Sequence, residues 1–315
     1  MNPILTVTLN PTVDSTTATE IVEPDRKLRC ERPETDPGGG GINVSRTITI
    51  LGGHSTAFVA VGGPTGDKLV RLLAEAGVGL APFPAPDETR QSFSVHDRSS
   101  GRQYRFVMPG PEWRAKHVGA ALARIARAAP RGGYVVLSGS QPPGVPDDFA
   151  ARLAARVART GARLIIDTSG GALRHLLQAG AAPAFVLRMD SDEAEEMAGS
   201  TLASRAASAD FAQSLVARGV AQMVIVARGA DGSVLATAAA RWHAAAARVP
   251  VRSKVGAGDS FVGAFVLALS RGERAELALQ QGVAAASAAV MTSATQLCRA
   301  ADMRRLTPQC RLRPV

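Results

Sequence analysis

Val255-Gly256-Ala257-Gly258-Asp259-Ser260-Phe261 is the stretch on which the reading of this chain turns. It opens the apolar run Phe261 to Leu269, whose length and composition predict a buried helix. Small residues at a helix start leave backbone N–H groups bare, with the positive end of the helix dipole behind them. Such a turn is a ready anion site. Asp259 in the same turn would repel a resident anion. Beside a phosphoryl group in transit it could instead take the proton from an attacking hydroxyl. On these seven residues alone, an ordinary first-turn or capping carboxylate is an equal reading.

Outward from this turn, strands and helices alternate strictly. Helices are expected at 114–128, 146–160, 171–179, 191–198 and 204–218, and strands at 134–138, 163–167, 184–187 and 223–226. A further strand is expected at 233–238, and helices 259–271 and 274–290 close the domain. Strands such as Tyr134-Val135-Val136-Leu137-Ser138 are apolar on both faces. The pattern predicts an α/β fold, a doubly wound, mostly parallel sheet flanked by helices.

The N-terminal third adds a second theme. Ile4 to Leu9 reads as a first strand, and Asp14 falls just past its carboxyl end, where open parallel sheets bind ligands. A turn residue is the plainer reading of Asp14. Gly38-Gly39-Gly40-Gly41 removes every Cβ and lets a ligand approach the backbone. A flexible linker is the alternative, but the helical run 42–51 follows directly, which favours a ligand loop. A strand at 57–61 and a helix at 66–75 come next. Residues 90–107 alternate around Ser99-Ser100-Gly101 and predict a hairpin. With the polar stretch 14–35 it should form a small separate sheet, covering a substrate or pairing with another subunit. Ser138, Ser140, Asp167, Asp190, Glu193 and Gly229 fall at strand ends, so that edge should face the Gly256–Asp259 turn. Neither a Gly-x-x-x-x-Gly-Lys-[Ser/Thr] loop nor a Gly-x-Gly-x-x-Gly after the first strand is present, so a nucleotide site must be of another design.

The 315 residues carry a formal charge of +9, 46% hydrophobic and 20% charged residues. The arginines are scattered over alanine-rich helices and aromatics are only 4%, which argues against nucleic acid as a partner. The charge suits a phosphorylated substrate. No apolar run is long and charge-free enough for a bilayer, so no membrane association is expected. The start lacks a basic n-region, so no secretory signal is expected. Cys30, Cys298 and Cys310 lack metal-ligand spacing and suit a reducing cytoplasm.

Taken together, these residues resemble a known family. The glycine-rich Gly38–Asn43 segment and the Val255–Ser260 turn, at this separation, are similar to the two signatures of the PfkB/ribokinase carbohydrate kinases, over essentially the whole chain. Lys27 to Cys30, Pro37 to Asn43, Thr89 to Gln91, Tyr104 to Gly110 and Leu137 to Gly144 look most like the bacterial PfkB-type 6-phosphofructokinase branch, the minor isozyme. Relatives acting on fructose 1-phosphate or tagatose 6-phosphate usually carry a lysine where Gly40 stands.

The resemblance implies one ribokinase-like domain over 1–315, with a β lid from 13–36 and 89–108 through which a homodimer forms. It implies ATP-dependent phosphorylation of a hexose phosphate, foremost fructose 6-phosphate to fructose 1,6-bisphosphate. Tagatose-6-phosphate and fructose-1-phosphate kinases are the alternatives, and a catalytically weak sugar-phosphate-binding homologue is the alternative of another class. Asp259 would be the base, of ordinary pKa, and the amides of Gly256, Ala257 and Gly258 the anion hole. Asp14, Asn43, Gly39, Gly40 and Ser138 would serve the sugar, and Lys27, Arg90 and Arg105 its phosphate. Arg188, Asp190, Ala227, Gly229, Gly232 and Lys254 would line the nucleotide side. Glu193 and Asp190 would act on Mg2+ through water.

The nucleotide side departs from the family pattern. Asp190 stands where asparagine is usual, Arg188 where lysine is, Ala227 where serine or threonine is, and Lys254 where threonine is. The segment Thr292 to Gln296 lacks the family's Asn, Gly and Arg. A potassium-type cation beside the turn is therefore in doubt, and the Lys254 ammonium is expected to substitute for it.

Overall fold

The computed structural model describes residues 1–178, 182–293 and 296–315. It begins β1 (Ile4–Thr8), β2 (Thr12–Thr19), β3 (Glu34–Gly38), α1 (Gly40–Ile50), β4 (Thr56–Val61), α2 (Gly63–Glu75) and β5 (Gly79–Pro84). The hairpin β6 (Arg90–Asp97) and β7 (Gln103–Val107) leads to α3 (Ala115–Ala128), β8 (Tyr134–Ser138), α4 (Phe149–Val157), β9 (Arg163–Asp167) and α5 (Gly170–Leu176). Then come β10 (Ala184–Asp190), α6 (Ser191–Ala198), α7 (Arg205–Ala217), β11 (Ala221–Ala227), β12 (Ser233–Thr237) and β13 (Arg241–Ala244). The chain closes with α8 (Ala257–Ser270), α9 (Ala275–Ala289), α10 (Ala300–Leu306) and β14 (Leu312–Pro314).

The large sheet has ten strands in the order β14-β13-β12-β11-β10-β9-β8-β1-β4-β5. It is parallel from β11 to β5, and β12, β13 and β14 extend it antiparallel. Alternation along the strands feeds two cores. Leu5, Val7, Val135, Leu137, Leu164 and Ile166 face one side with α3 and α4. Ile4, Tyr134, Val136, Ile165 and Ile225 face the other, against α8 and α9. Each of these large side chains, once buried, contributes about 1.5–3 kcal/mol relative to exposure. This is the doubly wound architecture expected from the apolar strands.

Strand order reverses at β1, whose neighbours are β8 on one side and β4 on the other. At such a switch point the loops after the strands part and leave a crevice. α8 lies across this region because every residue from Ser260 to Ser270 is buried. Its approach to α1 needs Gly263: a Cβ there would fall 2.6 Å from Thr47 Cβ and 3.0 Å from Val44 O.

The second sheet has four strands, β3-β2-β6-β7. It unites residues 12–19 and 34–38 with the 90–107 hairpin, as the sequence led one to expect. Phe93 pairs with Phe106 across β6 and β7, and both are exposed, as are Val107 and Met108.

Four elements escaped the sequence reading: β5, β13, β14 and α10. The expected helix 146–160 is shorter, running as α4 with a 3-10 turn at Ala158–Thr160. The expected end of helix 171–179 at Ala179 lies outside the described residues, as do Ala294 and Thr295 of the Thr292 to Gln296 segment.

Candidate active site

The glycine run forms the end of β3 and the start of α1, with Gly39 at φ 121° as its N-cap. Gly40 lies against Ser138 at the end of β8, its pro-Cβ position 2.5 Å from Ser138 Oγ. One turn into α1, the Asn43 amide donates from Nδ2 to Asp259 Oδ2 at 2.9 Å. The two signature stretches, 216 residues apart, meet in this bond.

Gly256 caps α8 in the left-handed region at φ 76°, where a side chain would be strained. The N–H of Ala257 donates back to Lys254 O at 3.4 Å. Ser260 N–H is bound to Gly256 O at 2.8 Å. The amides of Gly256, Gly258 and Asp259 have no backbone acceptor among the described residues. Ala257, expected with Gly256 and Gly258 in the donor set, makes only the long bond to Lys254 O within the turn, and the Asp259 amide lies beside them.

Burial pushes the Asp259 carboxyl up to about 6, and the neighbouring Asp167 charge adds to this. The Asn43 hydrogen bond, Arg188 and Arg46 hold it back. An ordinary pKa was expected, and burial moves it from there. A carboxylate poised near neutrality is a stronger base than one near 4.

Two arginines frame the base. Arg188, from β10, donates to Asp167 Oδ1 at 2.7 Å and stacks over the Phe261 ring with its Cζ 5.7 Å from the centroid. Its guanidinium lies beside Gly258, 3.2 Å from that residue's pro-Cβ position. Burial opposes its charge, but Asp167, Asp259 and Glu193 outweigh this and raise its pKa. Arg46, from α1, donates to Asn43 Oδ1 at 3.2 Å, to Pro37 O at 3.0 Å and to Asp36 at 3.3 Å. Asp167 also accepts from Ser138 Oγ at 3.4 Å. The sequence reading gave Arg46 and Asp167 no role. The strand-end position of Asp167 and the i, i+3 spacing of Asn43 and Arg46 were the available signals.

On the lid, burial raises the Asp14 carboxyl, while the Thr12 hydrogen bond, Arg90 and Arg105 pull it down. Those two arginines are therefore near enough for their charge to act on Asp14. Arg90 is held by Asn10 O at 3.1 Å and Met108 O at 3.3 Å, whereas Arg105 is exposed. Lys27 lies exposed on the loop between β2 and β3.

The nucleotide-side residues are less concentrated. Asp190 caps α6 in a reciprocal box with Glu193: each carboxylate accepts the other residue's backbone N–H at 2.9 Å. Burial raises the Glu193 carboxyl, and the charges of Asp190 and Asp167 add to this. Ala227 ends β11, and Gly229 begins a tight turn at φ 56°. Gly232 lies against Ala244 O, so its lack of a Cβ serves packing. Lys254 is exposed. A cavity of about 410 Å³ lined by Ser140, Gln141, Asp147 and Ser169 adjoins this edge but includes none of Asp14, Asn43 or Asp259.

Comparison with known proteins follows the same lines. A model of the pfkB family carbohydrate kinases matches residues 7–302. The ATP-dependent 6-phosphofructokinase isozyme 2 of Mycobacterium tuberculosis is 40% identical over 302 residues, 96% of this chain and 88% of that one. A 1-phosphofructokinase of Xanthomonas campestris is 29% identical over 97% of this chain and 94% of its own. Phosphofructokinase-2 from Escherichia coli is similar in structure, with TM-scores of 0.92 in complex with potassium and 0.90 in complex with fructose-6-phosphate. Its identity is 37% and 36%, covering 98% of this chain and 99% of that one.

Proposed function

The chain belongs to the pfkB family of carbohydrate kinases, and from that premise we propose that it transfers the γ-phosphoryl group of ATP to fructose 6-phosphate, giving fructose 1,6-bisphosphate and ADP. The observation that carries the reading is the Asn43–Asp259 hydrogen bond, which sets the base at the mouth of α8 beside amides that have no backbone acceptor among the described residues. Asp259 accepts the proton of the free sugar hydroxyl as its oxygen attacks the γ-phosphorus. The bond from phosphorus to the β,γ-bridging oxygen breaks and ADP leaves. Charge developing on the phosphoryl oxygens falls on the amides of Gly256, Gly258 and Asp259, with the Arg188 guanidinium adjacent.

Asp14, Asn43 and the Gly39-Gly40 backbone orient the sugar, with Ser138 alongside. Arg90 and Arg105 hold its 6-phosphate, joined by Lys27. Turning the phosphate group toward these arginines presents the far hydroxyl to Asp259. The higher identity to 6-phosphofructokinase isozyme 2 than to a 1-phosphofructokinase, with Gly40 in place of lysine, supports fructose 6-phosphate. The Gly229–Gly232 turn, Ala227 and Arg188 serve the nucleotide phosphates.

Asp167, Asp190 and Glu193 gather negative charge that fits a magnesium ion arriving with ATP. Among the described residues no three His, Cys, Asp or Glu side chains form a metal cage, so the ion would be held through water. It would neutralise phosphate charge. Lys254 supplies the fixed positive charge beside the turn in place of a monovalent cation.

Two chains pair through the lid, covering Phe93, Phe106 and Val107. The protein works in the cytoplasm, in keeping with three unpaired cysteines. Among the described residues no helix is long and apolar enough to cross a membrane.

The test is a coupled ADP-release assay with fructose 6-phosphate, tagatose 6-phosphate and fructose 1-phosphate. Preferred turnover of the first, lost in Asp259→Asn, supports the reading. Binding without turnover would instead mark a sugar-phosphate-binding protein.

A further inference from the structure

Arg46 makes three contacts that no step above uses. Its NH1 nitrogen donates both to Pro37 O of the lid strand β3, at 3.0 Å, and to Asn43 Oδ1, at 3.2 Å. Its NH2 nitrogen meets Asp36, also on β3, at 3.3 Å. Asn43 in turn donates to Asp259 Oδ2 at 2.9 Å. A continuous path of four side chains thus runs from the lid to the base, and the Arg46 side chain is only 14% exposed along it.

We propose that Arg46 is a positioning residue that fixes which way the Asn43 amide faces and so holds Asp259 in register with the lid strand. A primary amide has two nearly isosteric ends. Guanidinium nitrogens only donate, so Arg46 requires the Asn43 oxygen and turns the amide nitrogen toward Asp259. An ionised Asp259 asks for the same orientation. A protonated Asp259 would favour the reverse, presenting its O–H to the amide oxygen. Arg46 prevents that reversal and thereby favours the ionised base.

The other charged groups around this path are few. Asp167 from β9 and Arg188 from β10 face Asp259, while Asp14 from β2 and Asp36 from β3 face Arg46. The Asn43 amide donates to Asp259 and accepts from Arg46, so these two partners set its orientation. The consequence for turnover rests on the kinase reading above; the consequence for the Asp259 carboxyl does not.

The experiment compares the parent, Arg46→Met and Arg46→Lys by carboxyl-carbon NMR titration of Asp259 and by steady-state kinetics. Methionine keeps the length and removes every donor. We expect its Asp259 midpoint to rise above the parent's value near 6. Its kcat should fall about tenfold to a hundredfold with the KM for ATP within about twofold. Lysine keeps the charge but cannot reach both oxygens at once, so its midpoint should stay near the parent's while kcat falls severalfold. An unchanged midpoint in Arg46→Met, or parental kcat in Arg46→Lys, overturns the inference. Should Arg46→Met lose its cooperative thermal transition, the kcat of Arg46→Lys decides. If the parent turns over no sugar phosphate, the kinase reading fails, and the NMR midpoints still test the role of Arg46.

Discussion

Asn43 Nδ2 and Asp259 Oδ2 stand 2.9 Å apart although 216 residues separate them in the chain. The bond joins the two helices that start at the switch point of the sheet, so it binds the sugar-side loop to the anion turn. Replacing Asp259 by Asn keeps the side-chain size and removes the base. We expect kcat to fall about 10²- to 10⁴-fold, with ATP affinity retained. ADP release measured beside ATP binding by calorimetry checks this. Loss of both together would mean that Asp259 supports the turn rather than the chemistry.

Activity should rise with pH through a midpoint near 6 and then level off, because the base works only when ionised and burial holds its carboxyl up to about 6. The stability effect runs the other way. The folded-state pKa lies above the ordinary aspartate value of 3.8, so the native state binds this proton more tightly than the unfolded chain does. The Asp259 contribution therefore weakens as pH rises from about 4 to about 6. At pH 7 Asp259→Asn should melt higher than the parent, by roughly a few degrees, and the gap should close at low pH. Melting curves of both proteins across that window decide it.

Gly263→Ala tests how α8 is seated. The new Cβ would meet Thr47 at 2.6 Å, and α1 would have to move away. Overpacking of this kind costs about 1–3 kcal/mol. Because Asn43 rides on α1, kcat should fall as well, with no residue of the site changed. Urea unfolding and ADP release on one preparation would show both losses. A destabilised variant with parental kcat would mean that the two helices are not coupled.

Much of this was legible beforehand. Strands 134–138 and 163–167 were read to the residue, since both faces are buried and branched residues fill them. The edge strand β5 was missed because Pro82 and Pro84 argue against a strand, and prolines survive only where one side needs no ladder bond. The short β13 and β14 hold together by pairing with one another and with β12, a tertiary cause that local composition does not carry. In the site, Asp259 and the two glycine-rich turns were visible as small residues at helix starts, one of them beside an acid, and Asn43 entered through the family resemblance. Arg46 and Asp167 were not visible: Arg46 meets Asp36 and Pro37 only once β3 lies against α1, and Asp167 meets Ser138 and Arg188 only across the sheet. The raised pKa of Asp259 depends on burial, which no spacing reveals.

The Arg188–Asp167 pair is the next point of test. Both side chains are largely buried, at 13% and 14% exposure, and lie 2.7 Å apart. Removing one partner of a buried pair leaves an uncompensated charge and costs about 3–5 kcal/mol. Arg188→Met should therefore unfold at markedly lower urea. Arg188→Lys keeps the charge but loses the stacking on Phe261, so its stability should fall less. Its KM for ATP should rise, since the planar donor beside Gly258 is gone. Equal stability of Arg188→Met and the parent would show that Asp167 finds another partner.

The lid makes the last prediction. Phe93 and Phe106 face each other across β6 and β7, and they remain 38% and 51% exposed. Val107 and Met108 continue the patch. An apolar cross-strand pair left this exposed on a four-stranded sheet is a face that a second lid would cover. Phe106→Asp places a charge in that seam without touching Asp14, Arg90 or Asp259. Sedimentation should show the parent self-associated and Phe106→Asp monomeric. The KM for the sugar phosphate should rise in the variant if Lys27 acts across the pair, while kcat at saturation changes less. A parent that sediments as a monomer at working concentration would remove the lid pairing from the account.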